Sequence, residues 1–381
     1  MTRRLRHAAL VLALTAVSAF TFASAAQAAN GMEVALQDDP LFVNQSYFGI
    51  GKALDLAADL KASRLRVNVV WGRVVKSASK KKKPGRVVYD WAIYDRLVNA
   101  VSSRGIRLQL TLSGPAPAWA TGNRKIGVVK PKASQFGDFA REAAKHFKGL
   151  VDRYSIWNEP QLKAWISPLK SNAKIYRALY VAGYNAIKSV DPTAKVLIGE
   201  TSPFSLPKGR ATAPIKFLKA VTKRGHLVAD GYAHHPYDFR HPITYNYPGK
   251  DNATLKTLGN LTGALDKLAS SGKLTTSSGR ALDLYLTEWG YMAPGNKYAF
   301  GESKRSQFLR QGFDMAVANP RVKQMLQYVL VRPAKKYRFF DMSLVSKSGT
   351  KTPAFDALAS WARDAAAAGK ITVPGPGYRA P

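Results

Sequence analysis

The sequence predicts an α/β chain folded as a single domain, a (β/α)8 TIM barrel. Short β-rich runs alternate with helical patterns eight times over about 320 residues, within the size such barrels span. The runs are rich in Val, Ile, Leu and Tyr and lack the clean alternation of a one-sided sheet. They therefore fit strands buried on both faces, as in parallel sheets covered by helices. No shift in composition interrupts the alternation to mark a domain boundary. A doubly wound open sheet would share this beat, but no Gly-x-Gly-x-x-Gly opens a helix after the first strand and no phosphate loop follows.

In chain order, after a polar lead-in, strands are expected near 46–50, 65–70, 106–112, 151–157, 195–199, 228–233, 282–287 and 324–331. Helices are expected near 53–61, 90–103, 134–147, 173–190, 214–223, 254–270, 304–318 and 353–366. Tyr176, Tyr180, Ala182 and Tyr184 show the three-to-four spacing of an amphipathic face. Lys80, Lys81, Lys82 and Lys83 followed by Pro84-Gly85 read as an exposed loop between strand two and helix two. The stretch 371–381, with Pro374, Pro376 and Pro381, reads as an extended tail beyond a barrel domain at 29–370.

Residues 1–28 read as a leader rather than as part of the fold. Arg3, Arg4 and Arg6 precede an apolar run, and Ala26-Gln27-Ala28 supplies a small-residue cleavage site before Ala29. The run is short and Ala-rich for a membrane span of about 20 residues, and no later segment is long and apolar enough for one. A secreted protein, extracellular or associated with the cell wall, is the expectation. The chain has no cysteine, which removes disulfides, thiolate metal sites and a cysteine nucleophile. An exported chain of this length must then hold together by its core.

The chemistry of such a barrel is built where strands end at their carboxyl side. Strand four ends Ile156-Trp157-Asn158-Glu159-Pro160 and strand seven ends Leu286-Thr287-Glu288-Trp289-Gly290. Each puts a carboxylate beside a tryptophan where the chain leaves the sheet. Strand six ends Ala233-His234-His235-Pro236-Tyr237, strand two carries Arg66 and ends near Trp71, and the loop after strand three holds Trp119. His234 and His235 as neighbours on a strand point to opposite faces, which disfavours a metal pair, and no third ligand stands at a suitable spacing. Glu200 ends strand five, where it either reaches the cleft or closes an ion pair. Arg66 could equally bridge the barrel interior.

This constellation resembles glycoside hydrolase clan A, the retaining glycosidases on (β/α)8 barrels, and within it families 5 and 39 more loosely. The resemblance runs through nearly the whole mature chain in strand order and is specific at Trp157-Asn158-Glu159-Pro160 and Thr287-Glu288-Trp289-Gly290. It implies Glu159 as acid/base, Glu288 as nucleophile and Asn158 as donor to the sugar 2-hydroxyl. It implies Arg66 as the arginine that steadies the nucleophile, and His235 and Tyr237 in the place of a strand-six His or Tyr. Trp71, Trp119 and Trp289 are expected to offer flat faces to sugar. The chemistry uses no cofactor and no metal, because one carboxylate attacks the anomeric carbon while a carboxylic acid protonates the leaving oxygen. One departure stands out: strand eight reads Gln327-Tyr328-Val329-Leu330-Val331-Arg332-Pro333 with no tryptophan, so Tyr328 or a loop residue must take that place.

Lys and Arg total 58 against 24 Asp and Glu, a formal charge of +34, and the leader accounts for only three of those cations. Such a charge concentrates polyanions around the protein. The expected partners are a glycan substrate, with anionic glycans among the candidates, and cell-wall polyanions held electrostatically. Lys80, Lys81, Lys82 and Lys83, and the cluster Arg332, Lys335, Lys336 and Arg338, fall on loops that follow strands. No nucleic-acid motif accompanies the charge, so specific nucleic-acid recognition is not expected. The competing class is a non-catalytic basic protein that binds glycan or cell wall on a barrel scaffold. The presence of both carboxylates argues against it.

Overall fold

A computed structural model of the chain describes residues 31–44, 47–333 and 340–375. The leader with its cleavage site, the cluster residues Lys335, Lys336 and Arg338, and residues 376–381 lie outside the described residues. Eight parallel strands form the barrel: β1 (Met32–Gln37), β2 (Arg64–Val70), β3 (Arg107–Ser113), β4 (Arg153–Ile156), β5 (Lys195–Thr201), β6 (Gly231–His234), β7 (Leu284–Leu286) and β8 (Val322–Tyr328). Each pairs with the next, and β8 returns to β1 with Glu33 opposite Gln324 and Gln37 opposite Tyr328, which closes the sheet.

Helices α1 (Ile50–Asp59), α2 (Ala92–Ser102), α3 (Ala133–Phe147), α4 (Asn172–Val190), α5 (Pro214–Val221), α6 (Gly259–Ser270), α7 (Glu302–Val317) and α8 (Pro353–Ala367) surround it. Local chemistry starts several of them. Pro214 and Pro353 sit in the first turns of α5 and α8, where a missing N–H costs nothing. The Thr352 hydroxyl caps α8 by accepting from the Phe355 N–H. The apolar core lies between helices and strands, with Phe136, Phe139 and Phe147 of α3 and Tyr176 and Tyr180 of α4 buried against the barrel. No helix among the described residues is long and apolar enough to cross a membrane.

The barrel interior is polar, and its layering follows from the two-residue period of a strand. On β2 the inward positions are Arg64, Arg66 and Asn68. Arg64 forms the floor, donating to Glu33 at 2.9 and 3.0 Å and to Asp152 at 2.7 and 3.1 Å, while Arg153 reaches Gln324 at 2.7 Å. Burial alone would push the Glu33 carboxyl up, but Arg153 and Arg64 hold it at about 2. Leu197, Ala233 and Tyr285 form a small apolar cluster of their own. Arg66 rises into the site and Asn68 reaches the rim.

Two expectations need correction. The first strand is Met32–Gln37, not 46–50, and the residues described after 46 lead directly into α1. Its polar positions Glu33 and Gln37 face buried arginines inside the barrel, which cuts the apolar run to Val34-Ala35-Leu36, too short to be recognised as a strand. The stretch from 371 also belongs to the fold at its start. Ile371 is buried opposite Met32 of β1, and the Thr372 hydroxyl donates to the Gly31 carbonyl at 2.9 Å. The other seven strands and all eight helices overlap their expected positions.

Candidate active site

The strand ends on the carboxyl side surround a cleft of about 710 Å³. Its floor includes Gln37, Asp39, Asn68, Asn158, Glu159, Tyr237 and Glu288, and Trp165, Phe204, Tyr247, Tyr328 and Phe340 form aromatic walls. The backbone aims the two carboxylates. After β4, Trp157 takes a left-handed φ of 67° and Glu159 one of 38°, so the chain turns sharply with Asn158 between them. The Trp157 indole anchors that turn. Its Nε1 donates to the Trp165 carbonyl at 2.9 Å, and its ring lies where a Cβ on Gly114 would stand 2.5 Å away. Glu159 N–H donates to the Glu200 carbonyl at 2.9 Å, tying the end of β4 to the end of β5.

Arg66, fully buried, organises the site. Nη1 donates to Glu288 Oε1 at 2.8 Å and to Gln37 Oε1; Nη2 donates to Asn158 Oδ1 at 2.9 Å and to Glu200 Oε2 at 3.0 Å. Because the Asn158 oxygen is taken, its amide Nδ2 is the group left to donate into the cleft. Tyr237 donates its hydroxyl to Glu288 Oε2 at 3.3 Å. His235 Nδ1 lies 3.2 Å from Glu159 Oε1 and 3.6 Å from Glu288 Oε2, and its Nε2 lies 2.8 Å from Glu200 Oε2. His234, its neighbour, faces the other way. Its Nε2 meets the Ala253 carbonyl at 2.7 Å and must be the protonated nitrogen, which leaves Nδ1 to accept from the Thr201 hydroxyl at 2.9 Å.

The charges follow from this packing. Burial pushes the Glu288 carboxyl up and the neighbouring Glu159 adds to it, with His235 and Arg66 pulling the other way. Burial would lower His235, but Glu288, Glu159 and Glu200 outweigh it and raise the imidazole to about 9, so it is cationic at neutral pH. Glu200, fully buried, would be raised by burial and is instead held at about 2 by Arg66 and His235.

Of the residues picked from the sequence, Arg66, Asn158, Glu159, His235, Tyr237 and Glu288 converge on one site. The three tryptophans do not. Trp71 is fully buried, stacked on Phe139 at 5.5 Å and edge-on to Trp119 at 5.7 Å, so both fill the seam between β2, β3 and α3. Trp289 is likewise in the core, lying on Gly312 of α7 beside Phe313. A strand end supplies a side chain to either face, and these three point outward into packing. Trp165 is half-buried and lines the cleft instead.

The residues that sequence reading missed are Gln37, Asp39 and Asn68. Asp39 accepts from the Asn68 backbone N–H at 3.0 Å, from Asn68 Nδ2 at 2.7 Å and from Gln37 Nε2 at 3.0 Å, fixing a polar rim at the ends of β1 and β2. Placing the first strand correctly would have exposed Gln37-Asp38-Asp39 as a strand-end cluster. At the end of β8, Tyr328 and Phe340 stand 5.6 Å apart and flank Tyr237, filling the position where strand eight has no tryptophan.

The family model for cellulase, glycosyl hydrolase family 5, matches residues 27–315. No curated protein sequence matches the chain. Among solved structures it is similar to a family 39 glycoside hydrolase from the gut symbiont Bacteroides cellulosilyticus WH2, with 18% identity and a TM-score of 0.67 over 88% of this chain and 64% of that one. A monomeric β-xylosidase from Caulobacter crescentus CB15 shares 18% identity at a TM-score of 0.59, over 86% of this chain and 67% of that one. An exo-β-1,4-mannosidase, Op5Man5 from Opitutaceae bacterium strain TAV5, shares 16% identity at 0.60, over 89% and 60%. The chain thus spans about two thirds or less of the length of these relatives, and at such identities the likeness is one of fold.

Proposed function

The chain belongs to glycosyl hydrolase family 5, the cellulase family, and from that membership we propose a glycosidase that cleaves O-glycosidic bonds with retention. The observation that carries the reading is that one imidazole nitrogen, His235 Nδ1, lies within 3.6 Å of both Glu159 and Glu288 at the base of one cleft. The two carboxylates are therefore no further apart than two such contacts laid end to end. Both are thus in reach of one sugar ring, one to attack its anomeric carbon and the other to protonate the leaving oxygen.

In this reading Glu288 attacks the anomeric carbon while Glu159 protonates the departing glycosidic oxygen. A covalent glycosyl ester on Glu288 results, and Glu159, now ionised, takes a proton from the water that opens it. Burial raises Glu288, so Arg66 and the cationic His235 are what keep it available as an anion. The Asn158 amide donates to the 2-hydroxyl, and Tyr237 and Arg66 hold the two oxygens of Glu288 in place.

The leader at 1–28 extends the proposal to an exported protein cleaved after Ala28. The surface charge extends it to anionic glycans or wall polymers as partners. Exposed cations Arg73, Lys76, Lys80, Lys81, Lys82 and Arg86 after β2 stand beside Arg124, Lys125 and Lys130 after β3. The two loops are joined by the Ala118 N–H donating to the Ala78 carbonyl at 2.7 Å and Gly72 N–H to Pro115 at 2.8 Å.

The test uses protein recovered from the medium, whose first residue is expected to be Ala29, on a panel of aryl xylosides, mannosides and glucosides. Proton NMR of the first-formed product is expected to show the retained anomer. Glu288→Gly is expected to lose essentially all turnover and to regain it with azide as a glycosyl azide of inverted configuration. Glu159→Ala is expected to spare good leaving groups and slow poor ones by roughly 10²–10⁴-fold. An inverted product, or an active Glu288→Gly variant, removes this mechanism. Glycan binding with no turnover on any substrate would favour the non-catalytic reading.

A further inference from the structure

Glu159 and Glu288 line the cleft; Glu200 does not. It has no exposed surface and sits where β5 bulges against β6, as the extra residue between Gly199, opposite Ala233, and Thr201, opposite His234. Its left-handed φ of 50° turns the carboxylate under the site. There Oε2 accepts from three donors: Thr287 Oγ1 at 2.7 Å, His235 Nε2 at 2.8 Å and Arg66 Nη2 at 3.0 Å. A plain ion pair to Arg66 would explain only the last of these.

The consequence falls on His235. One ring nitrogen faces Glu200 and the other faces Glu159 and Glu288. A neutral imidazole carries one N–H and one lone pair; with its N–H toward Glu200 the lone pair would face Glu159 and Glu288, and only a protonated carboxyl there could meet it. Only the doubly protonated ring donates to both.

We propose that Glu200 is a positioning residue that keeps His235 cationic and thereby sets how many protons the two cleft carboxylates hold. The proposal deepens the glycosidase reading and rests on it for its kinetic arm alone. Arg66 and His235 bring two positive charges to three carboxyl groups. With Glu200 ionised, the remaining positive charge matches one cleft carboxylate, and the other is left with the proton that an acid must deliver. With a neutral amide at 200, the cluster of His235, Glu159 and Glu288 would hold its protons less tightly, His235 included.

Asp38, raised by burial to about 7, accepts from the Leu330 and Val331 N–H groups and makes no hydrogen bond to the cluster. Tyr237 from the loop after β6, Tyr232 from β6 and Tyr176 from α4 are raised above the ordinary tyrosine value by burial. His234, on the opposite face of β6, is lowered by burial to about 3. None of these four changes charge around neutral pH. Asp39, at the rim, is tied to Asn68 and Gln37.

Glu200→Gln removes one negative charge at hydrogen-bond distance from His235, which lowers the proton affinity of every neighbour. Both limbs of the bell-shaped kcat/KM profile are expected to move to lower pH, the alkaline limb by about one unit. Glu200→Asp, which keeps the charge, is expected to hold the limbs nearer the wild type. Limbs that stay in place while only the amplitude falls would make Glu200 structural and overturn the proposal.

A second readout needs no turnover. In ¹⁵N NMR of labelled histidine, the wild-type His235 ring is expected to be protonated on both nitrogens at pH 7, and in Glu200→Gln to titrate at lower pH. If Glu200→Gln does not fold, the wild-type spectrum decides: a neutral His235 at pH 7 overturns the proposal. Because this signal is independent of any substrate, its outcome is separate from the fate of the glycosidase reading.

Discussion

A left-handed backbone conformation costs a non-glycine residue on the order of 1 kcal/mol or more, yet Trp157, Glu159 and Glu200 all adopt one. All three lie at the ends of β4 and β5, and the strain turns one carboxylate into the cleft and another beneath it. Packing over-determines these turns through the Trp157 indole on Gly114 and the Glu159 N–H on the Glu200 carbonyl. The tryptophans around the site then divide by what their rings touch. Trp165→Ala is expected to raise KM by up to about 10-fold, the worth of one aromatic face, with little change in thermal midpoint. Its backbone carbonyl, which holds Trp157, survives the substitution. Trp71→Ala leaves a hole among Phe136, Phe139 and Trp119 and is expected to destabilise by about 3–5 kcal/mol with KM unchanged in the folded fraction. Denaturant melts and initial rates on both variants check this. An unchanged KM in Trp165→Ala would put sugar elsewhere in the cleft.

Helix α7 approaches the barrel as closely as it does because residue 312 has no side chain. A Cβ there would stand 2.1 Å from Trp289 Cη2, and the indole is boxed in by Tyr291 and Phe313. Alanine raises helix propensity by about 1 kcal/mol, but overpacking costs about 1–3 kcal/mol, so Gly312→Ala is expected to lose stability. Since Trp289 follows Glu288, turnover should fall too. Gly263 on α6 meets nothing within 4 Å, and Gly263→Ala is the control expected to be neutral or stabilising in the same unfolding titration. Elements of this kind were legible in the sequence where their burial was uniform. The parallel strands between apolar helices announced themselves, and Trp157-Asn158-Glu159 and Thr287-Glu288-Trp289 marked the strand ends whose carboxylates meet at the cleft. Strand β1 was not legible, because Glu33 and Gln37 point at buried arginines and break its apolar run. With it went Gln37 and Asp39 at the rim of the cleft. Glu200 was visible as a strand-end carboxylate, but its three donors come from β2 and from just past the ends of β6 and β7, and only the closed barrel brings those together.

Across the whole molecule, charge of one sign dominates outside while the cleft carries both. Asp39, Asp238, Glu159 and Glu288 line it together with Arg210 and Arg240, whereas the exposed loops after β2 and β3 are almost wholly basic, with Lys83 paired to Asp138 at 2.7 Å. These act over different ranges. Attraction between the basic shelf and a polyanion extends over many ångströms and is screened beyond about 10 Å at 0.1 M salt, while the carboxylate pair acts at contact. Raising salt from about 0.05 to 0.2 M should therefore weaken binding of an acidic polysaccharide steeply and leave hydrolysis of a neutral aryl glycoside nearly unchanged. Total charge alone would give a similar trend, so location has to be tested. Lys80→Ser, Lys81→Ser, Lys82→Ser and Arg86→Ser combined should flatten the salt dependence of polysaccharide binding. An equal loss of charge at Lys174, Lys216, Lys267 and Lys273, on or beside α4, α5 and α6, should change it less. These positions are solvent-accessible, so both variants should fold, and the neutral substrate reports that the cleft is intact. Equal flattening in the two variants would assign the effect to net charge and remove the shelf as a binding surface.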